Sequence, residues 1–156
     1  MKKLQLWVDN EGWKPFEYEN ISDLKEEFKK RFISIGYMAS IGNEASIGNM
    51  ARIGDEASIG NRASIGDRAS IGDRARIGNR VRIKTLFITG SSNTLSYYGT
   101  DVIHIGCIKK TIEEWKNEYA SVGVENKYTE DEIKEYKTYI DICASLQETM
   151  KPEEII

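Results

Sequence analysis

Residues 35–82 read IGYMAS-IGNEAS-IGNMAR-IGDEAS-IGNRAS-IGDRAS-IGDRAR-IGNRVR, eight six-residue units in unbroken register. Each opens with Ile-Gly, from Ile35-Gly36 to Ile77-Gly78, and Ile83 falls on the same clock. Asn or Asp follows the glycine in seven of the eight units, Tyr37 being the exception. A small apolar residue stands two places before each next isoleucine, alanine from Ala39 to Ala75 and then Val81. Six is not a helical period. It is three strand periods, so the small residue and the isoleucine point the same way, into a core. The Gly-Asn and Gly-Asp pairs supply residues that tolerate positive φ, as a corner requires. Short straight segments turned every six residues make a coil of triangular section. Three units close a turn of 18 residues, and turns stack at about 4.8 Å.

These units resemble the hexapeptide-repeat family, whose pattern is an aliphatic residue, a glycine, two variable residues, a small residue and one more. The resemblance covers residues 35–83. It implies a mainly β fold, the left-handed parallel β-helix, an exception to right-handed crossovers. It also implies a choice of functions. Many members are trimeric acyltransferases using acetyl or acyl coenzyme A, some are zinc carbonic anhydrases with three histidines, and some are scaffolds without chemistry. The anhydrase set needs three histidine ligands, and the chain has only His104.

The flanks divide the chain into three expected parts. Residues 1–34 form an N-terminal β/α cap: Leu4-Gln5-Leu6-Trp7-Val8 alternates like a strand, Asp9-Asn10-Glu11-Gly12 is turn chemistry, and Phe16-Glu17-Tyr18 makes a second strand. A short amphipathic helix follows, with Ser22 as its cap and Leu24, Phe28 and Phe32 on one face. Such a unit would cover the open end of the coil, where strand edges are otherwise unpaired. Residues 35–107 form the β-helix, regular over 35–83 and continued by an irregular last coil over 84–107, in which Ile105-Gly106 echoes the repeat. Residues 108–156 carry two helices, each opened by a capping box, Thr111 with Glu114 and Thr129 with Glu132. Gly123 marks the end of the first, Cys143 is a small core residue of the second, and residues 148–156 fray.

The C-terminal half carries a second resemblance. Phe87-Ile88-Thr89-Gly90, Tyr97-Tyr98-Gly99, Ile105-Gly106-Cys107, Thr111-Ile112-Glu113-Glu114-Trp115 and Tyr128-x-Glu130-x-x-Ile133-x-Glu135-Tyr136 resemble hexapeptide proteins of bacteriophages and prophages. This covers roughly residues 83–146. It implies a viral or prophage origin and carries no function residue by residue.

Composition narrows the classes. The chain has 156 residues, 40% hydrophobic and 30% charged, enough for one ordinary domain. Its longest apolar run is a few residues, too short for a membrane span, and its first residues do not read as a secretory signal. Two cysteines give neither a disulfide framework nor metal spacing. The expected address is cytoplasmic, the host cytoplasm for a phage-encoded chain. Residues 35–84 carry eight basic and five acidic groups, and residues 85–156 seven basic and thirteen acidic. Opposite poles favour steering and self-association over duplex nucleic acid.

Stacking at 18 residues also maps a surface. Asn43, Asn61 and Asn79 form one ladder, in which side-chain amides are expected to bond one another along the axis. Glu56 stacks under Arg74 as an opposite-charge pair, whereas Arg62 under Arg80 is a like-charge pair. Arg76, Arg80 and Arg82 crowd the last regular coil, and something negative should relieve them. Candidate ligand-binding residues are therefore Arg62, Arg74, Arg76, Arg80 and Arg82, with Tyr97 or Tyr98 to stack on a base or cover the cleft. The plain alternative is arginines spread into solvent.

His104 alternates with Ile103 and Ile105 and so points outward, where acyltransferase relatives place a general base near a subunit boundary. Those enzymes interrupt their coils with a long loop, which this chain lacks. The core of each turn is thin, three isoleucines and three small residues, so burial against two neighbours is expected to complete it as a homotrimer. Three classes remain: first, a trimer binding a small anionic, nucleotide-like ligand at inter-subunit clefts, sequestering a host defence signal, with no cofactor and no metal; second, a coenzyme A-dependent acyltransferase; third, a virion or assembly component.

Overall fold

The computed structural model describes residues 1–150; of the fraying expected over 148–156, residues 151–156 lie outside them, and Met150 within them is buried instead. The chain divides into two compact units, residues 1–84 with Met150, and Thr85–Thr149.

The first unit opens with β1 (Lys2–Val8) and β2 (Gly12–Tyr18), a 3₁₀ turn (Ile21–Leu24) and α1 (Lys25–Lys30). Nine short strands follow: β3 (Ser34–Ile35), β4 (Ser40–Ile41), β5 (Ala45–Ile47), β6 (Arg52–Ile53), β7 (Ser58–Ile59), β8 (Ser64–Ile65), β9 (Ser70–Ile71), β10 (Arg76–Ile77) and β11 (Arg82–Ile83). They sort into three parallel sheets, β3-β6-β9, β4-β7-β10 and β5-β8-β11. The register repeats at one 18-residue coil: Ile41 pairs with Ile59 and Ile59 with Ile77. This is a parallel β-helix. Isoleucines from Ile41 to Ile83 and alanines from Ala45 to Ala69 are buried, while the Ser or Arg beside each isoleucine faces outward.

The corners work differently from the expectation. Positive φ falls on the second residue after the glycine, with values from 56° to 63° at Met38, Glu44, Met50, Glu56, Arg62, Arg68, Arg74 and Arg80. The repeat glycines are not left-handed. They are needed because the next coil lies against them: a Cβ on Gly42 would stand 2.5 Å from the Asn61 nitrogen and the Gly60 carbonyl carbon. The asparagine ladder is also corrected. The side-chain oxygen accepts a backbone N–H one coil earlier, from Asn43 to Asn61 Oδ1 and from Asn61 to Asn79 Oδ1, both at 2.8 Å. Aspartate serves equally, as in Asp55 N–H to Asp73 Oδ1 at 2.8 Å, because only an acceptor is used. Tyr37 escapes the rule because it heads its ladder. It donates to Asp55 Oδ1 at 2.7 Å and has no earlier coil to serve.

The N-terminal part caps this stack. β1 adds parallel to β5, with Leu4 opposite Ala45 and Leu6 opposite Ile47, and both leucines are fully buried. The Tyr18 hydroxyl donates to the Ile41 carbonyl at 3.1 Å, closing part of a second edge. The helical segment is capped at Asn20 rather than Ser22, since the Asp23 carboxylate accepts the Asn20 N–H at 3.0 Å.

The second unit corrects the expected last coil. Residues 84–107 do not extend the β-helix: β12 (Leu86–Thr89), β13 (Thr94–Tyr97), β14 (Val102–Ile105) and β15 (Ile108–Thr111) form an antiparallel meander. Gly106, at φ 58°, belongs to the tight β14–β15 turn and not to a repeat corner. α2 (Ile112–Glu125) and α3 (Glu130–Glu148) follow, each with the expected capping box. Gly123 does not end α2. It lies buried inside it, where a Cβ would meet Ile133 Cγ1 at 2.7 Å. Cys143 is fully buried and its thiol is pushed up to about 12 by burial, as a core cysteine should be.

Candidate anion-binding site

The arginines belong to the first unit and are not gathered at one point. In each unit the left-handed corner residue, the residue before it and, less fully, the first strand residue face outward. Arg62 and Arg80 are successive corner residues of one ladder, below which stands Glu44. The three share a groove of about 500 Å³ with Asn43, Asn61 and Asn79. Arg62 Nε donates to Glu44 Oε2 at 2.7 Å, so the like-charge crowding expected at Arg62 is partly relieved. That pair was legible, since the two residues are 18 apart. Arg74 sits on the preceding corner over Glu56, with no ion pair between them among the described residues. Arg76 lies on β10, on the face joining these two corners, and Arg82 on β11, on the next face.

Arg74, Arg76, Arg80 and Arg82 have no carboxylate partner among the described residues, and all four are exposed. A feature of the backbone adds to this positive surface. One coil earlier, Gly54, Asp55, Ser58, Gly60 and Asn61 donate their N–H groups to the coil that follows. β10 is the last strand of its sheet, so the equivalent donors of Gly72, Asp73, Arg76, Gly78 and Asn79 have no acceptor among the described residues. No described residue lies within 4 Å of where a Gly72 Cβ would be. Side-chain cations and unpaired backbone donors therefore share one rim, the chemistry that an oxyanion accepts. The sequence reading missed these donors, although the end of the repeat at Ile83 marks where they must occur.

The tyrosines and the histidine lie in the second unit. Tyr97 is withdrawn as a ligand residue: its ring is fully buried and its hydroxyl bonds Gln147. Tyr98 is half-buried, edge-on to Phe87 at 5.5 Å and to His104 at 5.1 Å. His104 is not on a β-helix face but on β14, opposite Ser96 and Lys109. Burial first, and the Lys109 charge second, lower its pKa below the usual imidazole value. The folded state thus favours neutral His104. Its contribution is complete above the unfolded value of about 6.5 and is lost as pH falls toward the lower folded value. We expect His104→Gln to lose less thermal stability than wild type between pH 7 and pH 5; equal losses would show that the ring is not the titrating group. Among the described residues no cluster of His, Cys, Asp or Glu is arranged to hold a metal, and no helix is long and apolar enough to cross a membrane.

The coils and their ladders are the features by which the chain can be compared with known families. Residues 50–85 match the family model for bacterial transferase hexapeptide (six repeats). The hexapeptide units of the structure begin earlier, at Ser34, and the match ends where the antiparallel meander begins. No curated protein and no solved structure matches the chain.

Proposed function

We propose that the chain assembles as a homotrimer of left-handed parallel β-helices and holds a small anionic ligand of nucleotide type at arginine-lined clefts between neighbouring subunits. The observation that carries this reading is the rim of the last coil, where Arg74, Arg76, Arg80 and Arg82 stand, among the described residues, without carboxylate partners and beside backbone N–H groups that have no acceptor. A polyanion satisfies both sets at once. Assembly is supported by apolar side chains left outside the first coil: Phe32, Tyr37 and Met38 are each at least 70% exposed, and Met50 is partly so. Phe32 and Met50 line one groove, and contiguous apolar surface marks protein contacts. The resemblance of residues 83–146 to phage proteins makes a host signalling nucleotide the ligand we place first, sequestered in the host cytoplasm rather than turned over.

Acyl transfer from coenzyme A is the second reading, favoured by the transferase description of the matched family. Its base would be His104, and His104→Ala should then cost about 10²–10⁴ in rate. The two readings separate in one experiment. Calorimetry with cyclic and linear nucleotides and acetyl coenzyme A, on a sample sized by sedimentation, should give a trimer that binds a nucleotide. Arg80→Ala should weaken that binding by about 1.5–3 kcal/mol, roughly ten- to a hundredfold, with His104→Ala silent. A monomer at micromolar concentration, or no heat with any of these compounds, removes the ligand-binding reading.

A further inference from the structure

We propose that the cavity enclosed by α2, α3 and the β14–β15 turn is a binding site for a single-ring aromatic molecule bearing a hydroxyl or similar hydrogen-bonding group. This site lies wholly in the second unit and is independent of the anion reading. The cavity measures about 140 Å³. That is close to the roughly 150 Å³ of an apolar engineered cavity that stays dry and takes up benzene. Its wall is mainly apolar, built from Ile105, Ile108, Trp115, Val122, Ile133 and Ile140. Three of these, Ile105, Trp115 and Ile140, are buried core residues, so the wall is part of the packed unit rather than a surface groove.

The polar groups around the cavity are almost all committed. The Trp115 indole N–H donates to the Ile103 carbonyl at 2.8 Å. The Tyr136 hydroxyl donates to the Asn93 carbonyl and accepts the Asn93 N–H at 2.7 Å. Asn93 Nδ2 donates to the Tyr128 hydroxyl, and Asn126 Nδ2 to the Val122 carbonyl at 2.8 Å. Tyr119 lines the same space; its hydroxyl makes no hydrogen bond among the described residues and has Lys137 within electrostatic reach. An apolar volume of one ring, lined by a tyrosine whose hydroxyl makes no hydrogen bond among the described residues, suits a phenol-like shape.

The void is also held open. Gly123 already brings α2 against Ile133 of α3 without room for a Cβ, so the helices cannot close further to fill the space beside it. Gly106 and Cys107 of the β14–β15 turn also line it and are exposed.

The test is a titration of the full chain with phenol, benzene and 1-naphthol, read on the Trp115 indole N–H resonance. Phenol and benzene should shift it at millimolar concentration, phenol about tenfold more tightly, and the two-ring naphthol should not bind. Tyr119→Phe should remove the advantage of phenol and leave benzene unchanged, which needs no change in packing. Val122→Phe, which fills the space, should abolish both. No shift with phenol or benzene overturns the proposal. So does phenol binding unaffected by Tyr119→Phe, or naphthol binding as tightly as phenol. Should Val122→Phe fail to fold, the Tyr119→Phe and naphthol arms decide alone.

Discussion

Replacing Ile59 by aspartate is expected to unfold the first unit. Ile59 sits in the middle strand of its sheet, paired with Ile41 on one side and Ile77 on the other, and is 2% exposed. The change removes the burial of an isoleucine, about 1.5–3 kcal/mol. It also leaves a carboxylate with no cation inside the coil, several kcal/mol more. The sum rivals the entire stability of a unit this size, at about 0.05–0.15 kcal/mol per residue. Amide exchange of the coil residues gives the direct measurement, because helical signals from the other unit do not enter it. Protection equal to wild type would show that the isoleucines do not form this core.

Gly60→Ala and Gly72→Ala should give opposite results, although the two glycines occupy the same place in the repeat. A Cβ on Gly60 would stand 2.6 Å from both the Asn79 nitrogen and the Gly78 carbonyl carbon, and 2.7 Å from Asn79 Oδ1. Two of these are backbone atoms, which cannot rotate away. The coils must therefore part locally and loosen the Asn61 N–H to Asn79 Oδ1 bond of 2.8 Å. Overpacking of this kind costs about 1–3 kcal/mol, and a rigid neighbour puts it at the upper end or beyond. At Gly72 there is no neighbour within 4 Å among the described residues and no positive φ. Alanine there should be neutral or stabilise by about 0.4–1 kcal/mol, through the smaller freedom of the unfolded chain. Urea titration of both variants checks the contrast. Equal destabilisation would mean that the glycines serve backbone conformation after all, and not the approach of the next coil.

The ladders show how far a repeat can be read. The 18-residue spacing that placed Asn61 between Asn43 and Asn79 was sufficient to stack them; the same spacing holds for Glu44 under Arg62, a pair that only the structure brought out. It could not say which atoms would meet. Whether an amide bonds another amide or a backbone N–H depends on the rise between coils and on the direction of each N–H, and neither is a property of spacing. The same limit explains the corner error. Glycine is compatible both with positive φ and with a close neighbour, so its presence alone does not distinguish the two. The isoleucine and alanine positions had no such ambiguity, because burial follows from periodicity and side-chain type together.

By itself the sequence determined a parallel coil of three short strands per turn, its inward residues, its capped N-terminal end, and the starts of both C-terminal helices at Thr111 and Thr129. Each of these rests on an interaction local in sequence or repeated at a fixed interval. Only the tertiary structure decided that residues 86–111 fold back as an antiparallel meander, that Tyr97 is core while Tyr98 is not, and that a cavity remains beside Gly123. Alternating strands look alike whether the chain continues or reverses. Their direction and the fit of helix against sheet are set by contacts between residues far apart in the chain, and those contacts leave no period to read.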